Sequence, residues 1–162
     1  MTTNIGTRPQ DIPLNQFLGE MAFMDAKPKV AFQASVSSNI AHAAGTNILP
    51  YDLIIFDIGS NYNPSTYTFT APVPGLYFFH LNLNLYNAPG RMMAGIYQGG
   101  SISRYHYGTR ISATISGDNN VNASAILMLQ QGDVVQPYSS SQENSAFLSN
   151  GPSWNRFEGC LL

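Results

Sequence analysis

The alternation of apolar and polar positions changes character near residue 30. Beyond it, Val30, Phe32, Ala34 and Val36 alternate with Ala31, Gln33 and Ser35, and Tyr67 and Phe69 alternate with Thr66, Thr68 and Thr70. A period of two marks strands that turn one face to a core. Residues 53–58, Leu-Ile-Ile-Phe-Asp-Ile, are apolar without alternation and read as a compact buried strand. The longest run, residues 76–85, carries two rows. Tyr77, Phe79, Leu81, Leu83 and Leu85 are apolar throughout, whereas Leu76, Phe78, His80, Asn82 and Asn84 begin apolar and turn amide-polar without acquiring a charge. The first row belongs in a core, and the second suits a face that meets other protein. Pro72 and Pro74 keep the lead-in out of central ladder pairing, and Gly75 permits the turn that launches the strand.

The same reading places a loop over residues 37–47 and a turn at Asn61-Tyr62-Asn63-Pro64-Ser65. Residues 92–97 and 102–107 flank Gly99-Gly100 as a hairpin. Residues 110–115 form another short strand, and Gly117-Asp118-Asn119-Asn120 turns the chain into a strand over 121–129. Residues 134–138 and 154–162 supply the last two. Eight or more short strands with no long helix describe an all-β sandwich of antiparallel sheets.

Residues 1–29 differ and are assigned as a docking or linker segment preceding a domain over 30–162. Leu14, Phe17, Leu18 and Met21 fall at helical spacing, although Gly19 weakens a helix by ~1 kcal/mol, and residues 21–25 fit a strand equally well. The segment is therefore short and extended or partly helical. Phe17, Leu18, Met21 and Phe23 call for a covering surface, each gaining roughly 1.5–3 kcal/mol on burial.

At 162 residues the chain holds one domain and an appendage. Charged residues make up 10% of it, against about 25% in ordinary soluble proteins. A net charge of -2 without a basic run removes the phosphate-neutralising interaction that drives nucleic-acid binding, so no nucleic-acid partner is expected. Weak charge also offers little repulsion between copies, which fits a permanent assembly. Cys160 stands alone, which excludes an intrachain disulfide framework, and reads as a buried small hydrophobe. No apolar run approaches the ~20 residues of a membrane span, and the N-terminus lacks a basic stretch followed by an apolar signal core, so membrane insertion is not expected.

No nucleotide-binding, nucleophile-elbow or zinc-protease pattern occurs, and Asp52, Asp57, Asp118 and Asp133 form no carboxylate pair, so the chain is read as no enzyme. His42, His80 and His106 lie in different segments and define no metal set. Asp118, Asn119 and Asn120 offer oxygens but one carboxylate, and a turn is the default. No cofactor or metal is expected. Arg104, Tyr105, His106, Tyr107 and Arg110 form the one aromatic and basic cluster on an exposed hairpin and are the ligand-binding candidates. Cross-strand packing of the tyrosines is the competing explanation.

Phe69-Thr70-Ala71-Pro72-Val73-Pro74-Gly75-Leu76-Tyr77-Phe78-Phe79 resembles the signature of the C1q globular domain, a branch of the C1q/tumour-necrosis-factor jelly rolls. Ala31-Phe32-Gln33-Ala34-Ser35 is similar to the family's opening strand. Asn122-Ala123-Ser124-Ala125-Ile126-Leu127-Met128-Leu129 with Gly132-Asp133-Val134-Val135 resembles a later stretch, and Phe157-Glu158-Gly159-Cys160-Leu161-Leu162 the closing one. The resemblance implies a C1q/TNF-like jelly roll that assembles as a homotrimer. Residues 76–85, 123–129 and 157–162 would line its inner sheet, and Leu76, Phe78, His80, Asn82 and Asn84 would face the threefold axis. No Gly-x-y repeat occurs in this sequence, and Cys160 replaces the closing aromatic, so complement binding and receptor signalling are not expected to carry over.

Residues 11–25, with Pro13-Leu14-Asn15 and Ala22-Phe23-Met24-Asp25, resemble a docking segment recurrent in tail-fibre and other virion proteins of tailed bacteriophages. That likeness implies a structural or fibre component exposed on a phage particle and anchored to other virion proteins through Phe17, Leu18, Met21 and Phe23. Its head would be displayed for host-surface (glycan) binding or for particle decoration. The alternative is a secreted, extracellular C1q/TNF-like or lectin-like soluble ligand.

Overall fold

The computed structural model describes residues 29–39, 45–86, 92–111, 117–141 and 154–162. Phe17, Leu18, Met21, Phe23 and His42 lie outside them, as do the alternatives for residues 14–25. Among the described residues the regular elements are strands: β1 (Ala31–Ser35), β2 (Gly45–Ile48), β3 (Leu53–Ile58), β4 (Tyr62–Asn63), β5 (Thr68–Thr70), β6 (Gly75–Tyr86), β7 (Met92–Gly99), β8 (Arg104–Ile111), β9 (Asp118–Leu129), β10 (Val134–Ser141) and β11 (Arg156–Leu161). They form two antiparallel sheets, one ordered β3-β1-β11-β6-β9 and the other β4-β5-β10-β7-β8 with β2 beside β10. This is the expected jelly-roll sandwich.

The core lies between the sheets. Tyr77, Phe79, Leu81, Leu83 and Leu85 of β6 are fully buried, as are Phe32, Ala34 and Val36 at the start of the domain and Ile96 and Val135 from the other sheet. Aromatic rings dominate it. Phe32 stacks on Tyr62 at 4.8 Å and on Phe69 at 5.2 Å, while Phe157 meets Phe32 edge-on at 5.1 Å and Phe79 meets Phe69 edge-on at 5.3 Å. Such geometries satisfy the ring quadrupoles as well as filling space. Gly159 makes the packing possible, since a Cβ there would sit 2.5 Å from the Phe79 ring and 3.0 Å from Phe32.

Several expectations are corrected. β3 is exposed at Leu53, Ile54, Ile55, Phe56 and Ile58, at 37–53% of their surface, because among the described residues it ends its sheet and pairs with β1 alone. Part of the expected loop over 37–47 is strand, since β2 pairs with β10 from Gly45↔Ser141 to Ile48↔Tyr138. The strand expected over 66–70 is only Thr68–Thr70, because Tyr67 sits in a turn at φ 57°. β4 lies inside the expected 61–65 turn, with Asn63 Oδ1 accepting the Ser65 N–H at 2.9 Å. β8 runs unbroken to Ile111, so no separate strand begins at 110, and β9 already starts at Asp118. Cys160 is half-buried and not in the core, because its neighbour Gly159 takes the inward position.

Candidate assembly face and tyrosine patch

Register makes the outward face of the five-stranded sheet a set of transverse rows. One runs Ile58–Ala31–Cys160–Phe78–Ile126 across all five strands and is apolar from edge to edge. Beside it Leu76 pairs with Met128, and the Leu162 N–H donates to the Leu76 carbonyl at 2.9 Å. Ile58, Leu76, Ile126, Met128 and Leu162 are all exposed. Isolated surface apolar side chains are ordinary, but a contiguous band continuing onto an apolar edge strand marks an interaction surface.

The next rows are polar. Gln33 Nε2 donates to Glu158 Oε2 at 2.6 Å, and His80 Nδ1 lies 2.9 Å from Ser124 Oγ. Asn82 Nδ2 donates to the Trp154 carbonyl at 2.7 Å, and Asn84 Nδ2 to Asn120 Oδ1 at 3.2 Å. A cavity of about 400 Å³ opens here against His80, Asn82, Asn122, Trp154, Arg156 and Glu158. Leu76, Phe78, His80, Asn82 and Asn84 lie on the outward side of β6 and grade from apolar to amide along it. Asn84, however, is only 3% exposed and is covered within its own subunit, with its N–H donating to Asn155 Oδ1 at 2.9 Å. Asn120, one of the oxygen donors weighed for calcium, turns its carbonyl oxygen to Asn84. Among the described residues no three His, Cys, Asp or Glu side chains converge as metal ligands.

On the opposite sheet the five ligand-binding candidates divide. Alternation puts Arg104 and His106 on one side of β8 and Tyr105 and Tyr107 on the other. His106 Nε2 lies 3.3 Å from Oε1 of the buried Gln98, and burial, then Arg104, lowers its pKa and favours the neutral ring. Arg110 rejoins Tyr107 because of a bulge: Gly95 pairs with Tyr107 but Met93 with Arg110, three residues on instead of two. Tyr105, Tyr107 and Arg110 therefore share one side of β8.

Two tyrosines not anticipated complete this patch. Tyr97 pairs with Tyr105, their rings 4.9 Å apart, and its hydroxyl lies 3.0 Å from Ser103 Oγ. Tyr138 pairs with Gly95, and Tyr105 and Tyr107 meet its ring edge-on at 4.8 and 5.9 Å. A Cβ on Gly95 would overlap the Tyr138 ring. Tyr138 lies on the outward side yet is 1% exposed, whereas Tyr105 and Tyr107 are 46% and 63% exposed. Its hydroxyl is buried against Tyr107, and burial, then that neighbour, raises its pKa above the ordinary phenol value. Tyr97 was findable by folding the sequence about Gly99-Gly100; Tyr138 arrives through a long-range pairing with no local signal.

A model of the C1q domain family matches residues 31–162. The mouse collagen alpha-1(X) chain is 24% identical over 135 residues, covering 83% of this chain and 19% of that protein, so the chain spans about a fifth of this curated relative. The globular domain of zebrafish complement 1qA superposes with a TM-score of 0.64 at 20% identity, over 83% of this chain and 97% of that one. Murine APRIL gives 0.63 at 13% identity over 83% and 99%, and the Eiger TNF of S. frugiperda 0.61 at 13% over 84% and 94%. The signature entering β6, the order of the strands and a family match that runs from β1 to the last residue agree: this chain belongs to the C1q domain family.

Proposed function

We propose that this chain is the non-enzymatic head of a homotrimer that works outside cells by assembly and adhesion. The observation that carries this reading is the apolar row Ile58–Ala31–Cys160–Phe78–Ile126, which continues onto the exposed β3. A closed threefold ring uses a heterologous interface, in which one patch of each copy meets a different patch of the next. The sheet face around Leu76, Phe78, Ile126 and Met128 and the edge strand β3 are two such patches. His80 and Asn82 continue the face toward the axis, with Asn84 as a second layer beneath them. Light scattering of the full chain on dilution tests this. We expect trimer mass for the wild type, and a folded monomer when Phe78→Glu and Ile126→Glu are combined; a wild-type monomer overturns the reading.

Two settings are consistent with such a head. The soluble extracellular one has the support of relatives that are a collagen chain and a complement component. The phage-particle setting rests on residues 11–25, with Phe17, Leu18, Met21 and Phe23 as the anchor to other virion proteins. Antibody labelling decides between them. Label on purified particles, lost with Phe17→Ser and Met21→Ser in the full chain, supports the virion; label in the particle-free medium alone supports the secreted ligand.

A further inference from the structure

We propose that the polar end of the five-stranded sheet's outward face binds a neutral pyranose. Trp154 stacks on the apolar C–H face of the sugar, and the Asn122 amide and the Arg156 guanidinium bond its hydroxyls. The cavity of about 400 Å³ that these residues line with His80, Asn82 and Glu158 is within the size range of small-ligand sites and has room for one or two sugar rings.

Trp154 leaves 60% of its surface in solvent, yet its backbone is held firmly. Asn82 Nδ2 donates to its carbonyl at 2.7 Å. The next residue, Asn155, is wholly buried, its carbonyl accepting the Ser35 hydroxyl at 2.6 Å and its Oδ1 the Asn84 N–H at 2.9 Å. An exposed indole on a fixed main chain is a prepared stacking surface that gives up little freedom when a ring settles on it. Beside it, His80 and Glu158 are engaged by Ser124 and Gln33. Among the described residues no hydrogen bond or ion pair holds the side chain of Asn122 or of Arg156. An amide supplies both a donor and acceptors, and a guanidinium a fork of donors, which together match a run of neighbouring hydroxyls. The choice of a neutral sugar comes from charge. Arg156 and Glu158 balance each other, and beyond them β6, β9 and β11 carry an acidic or basic side chain only at Asp118.

Position supports the same assignment. Leu76 accepts the Leu162 N–H and Val30 the Leu161 N–H, so residues 1–29 join the domain at the Leu76 end of β6. Asn82 stands about 20 Å farther along that strand, toward the end that a head anchored through its N-terminal segment presents outward. The site lies within one subunit. Only its display and its avidity rest on the homotrimer reading, through which three linked sites raise apparent affinity by about 10²–10⁴.

Trp154 is the sole tryptophan of the chain, so its fluorescence reports on the cavity directly. Titration of the full chain with the methyl glycosides of glucose, galactose, mannose and N-acetylglucosamine, with methyl sialoside as the charged probe, tests the proposal by tryptophan emission and saturation-transfer NMR. We expect a saturable change in emission, with saturation transfer, for a neutral glycoside at lower concentration than for the sialoside. By NMR, Trp154→Ala should weaken binding at least about tenfold, and Asn122→Ala and Arg156→Ala about fivefold each. The melting temperature should hold in all three variants, since none of these side chains is buried. Absence of transfer to every neutral glycoside overturns the proposal, as does tighter binding of the sialoside than of any of them, or wild-type binding by Trp154→Ala and Arg156→Ala. Light scattering on the same samples separates the two readings: a monomer that binds a neutral glycoside retains this site and removes the trimer, and a trimer that binds none of them does the reverse.

Discussion

Asp133 holds the loop between β9 and β10 to the β7–β8 turn. Its carboxylate accepts the Ser101 N–H and the Ser101 hydroxyl, each at 2.6 Å, and the Gln130 N–H at 2.9 Å, while Gly100 supplies the left-handed φ of 108° that brings Ser101 into place. The Ser101 hydrogen bonds hold its pKa below the ordinary carboxylate value. A depressed folded pKa means stability that is present above the unfolded value near 3.8 and is lost as pH falls through the lower folded one. Asp133→Ala should cost about 2 kcal/mol at pH 7, measured by urea unfolding, and the difference from wild type should shrink at acid pH. The sequence marks Gly132-Asp133 only as part of a family stretch; that the aspartate spans two turns appears when Ser101 and Gln130 come together. Tyr138 teaches the same point differently. Alternation assigns it outward, and it is nevertheless buried because Gly95 lets its ring lie down and two other tyrosines cover it. Gly95→Ala should lower stability by about 1–3 kcal/mol in a thermal melt.

At the scale of elements, the inward row of β6 was legible in the sequence and is buried, and β9 and β11 lie in its sheet as the resemblance implies, whereas the covering of Asn84 was not legible. One register explains why, since an unbroken alternation permits a single core face. β3 was read as buried because a run that is apolar on both sides looks the same whether its own subunit or another body covers it. β2 was missed because Gly-Thr-Asn-Ile offers no alternation, and only its pairing to β10 makes it a strand. In β11, between β1 and β6, Gly159 leaves room for Phe79 and Phe32. Gly159→Val should therefore cost about 2 kcal/mol or more by overpacking, seen as a lower denaturant midpoint with unchanged slope.

For the whole molecule, family membership follows from a match over residues 31–162, and the resemblance in sequence implies the same sandwich that the strand pairings form. The candidate site was less legible, since Arg104 and His106 parted from Tyr105 and Tyr107 by parity alone, and Arg110 returned through a bulge that local sequence does not announce. If copies cover one another, the folded state includes its neighbours. The melting temperature should then rise with protein concentration, as calorimetry over a dilution series will measure, and a concentration-independent value would point to a self-sufficient monomer. The bare β3 also has a bearing on how the protein is made. If sister copies cover it, a subunit just released from the ribosome carries a greasy margin, unpaired among the described residues, that will take up any strand it meets, and the interval before they arrive is its hazardous one. Slow synthesis or scarce copies would then lower the yield through precipitation, without any change in the finished assembly's durability.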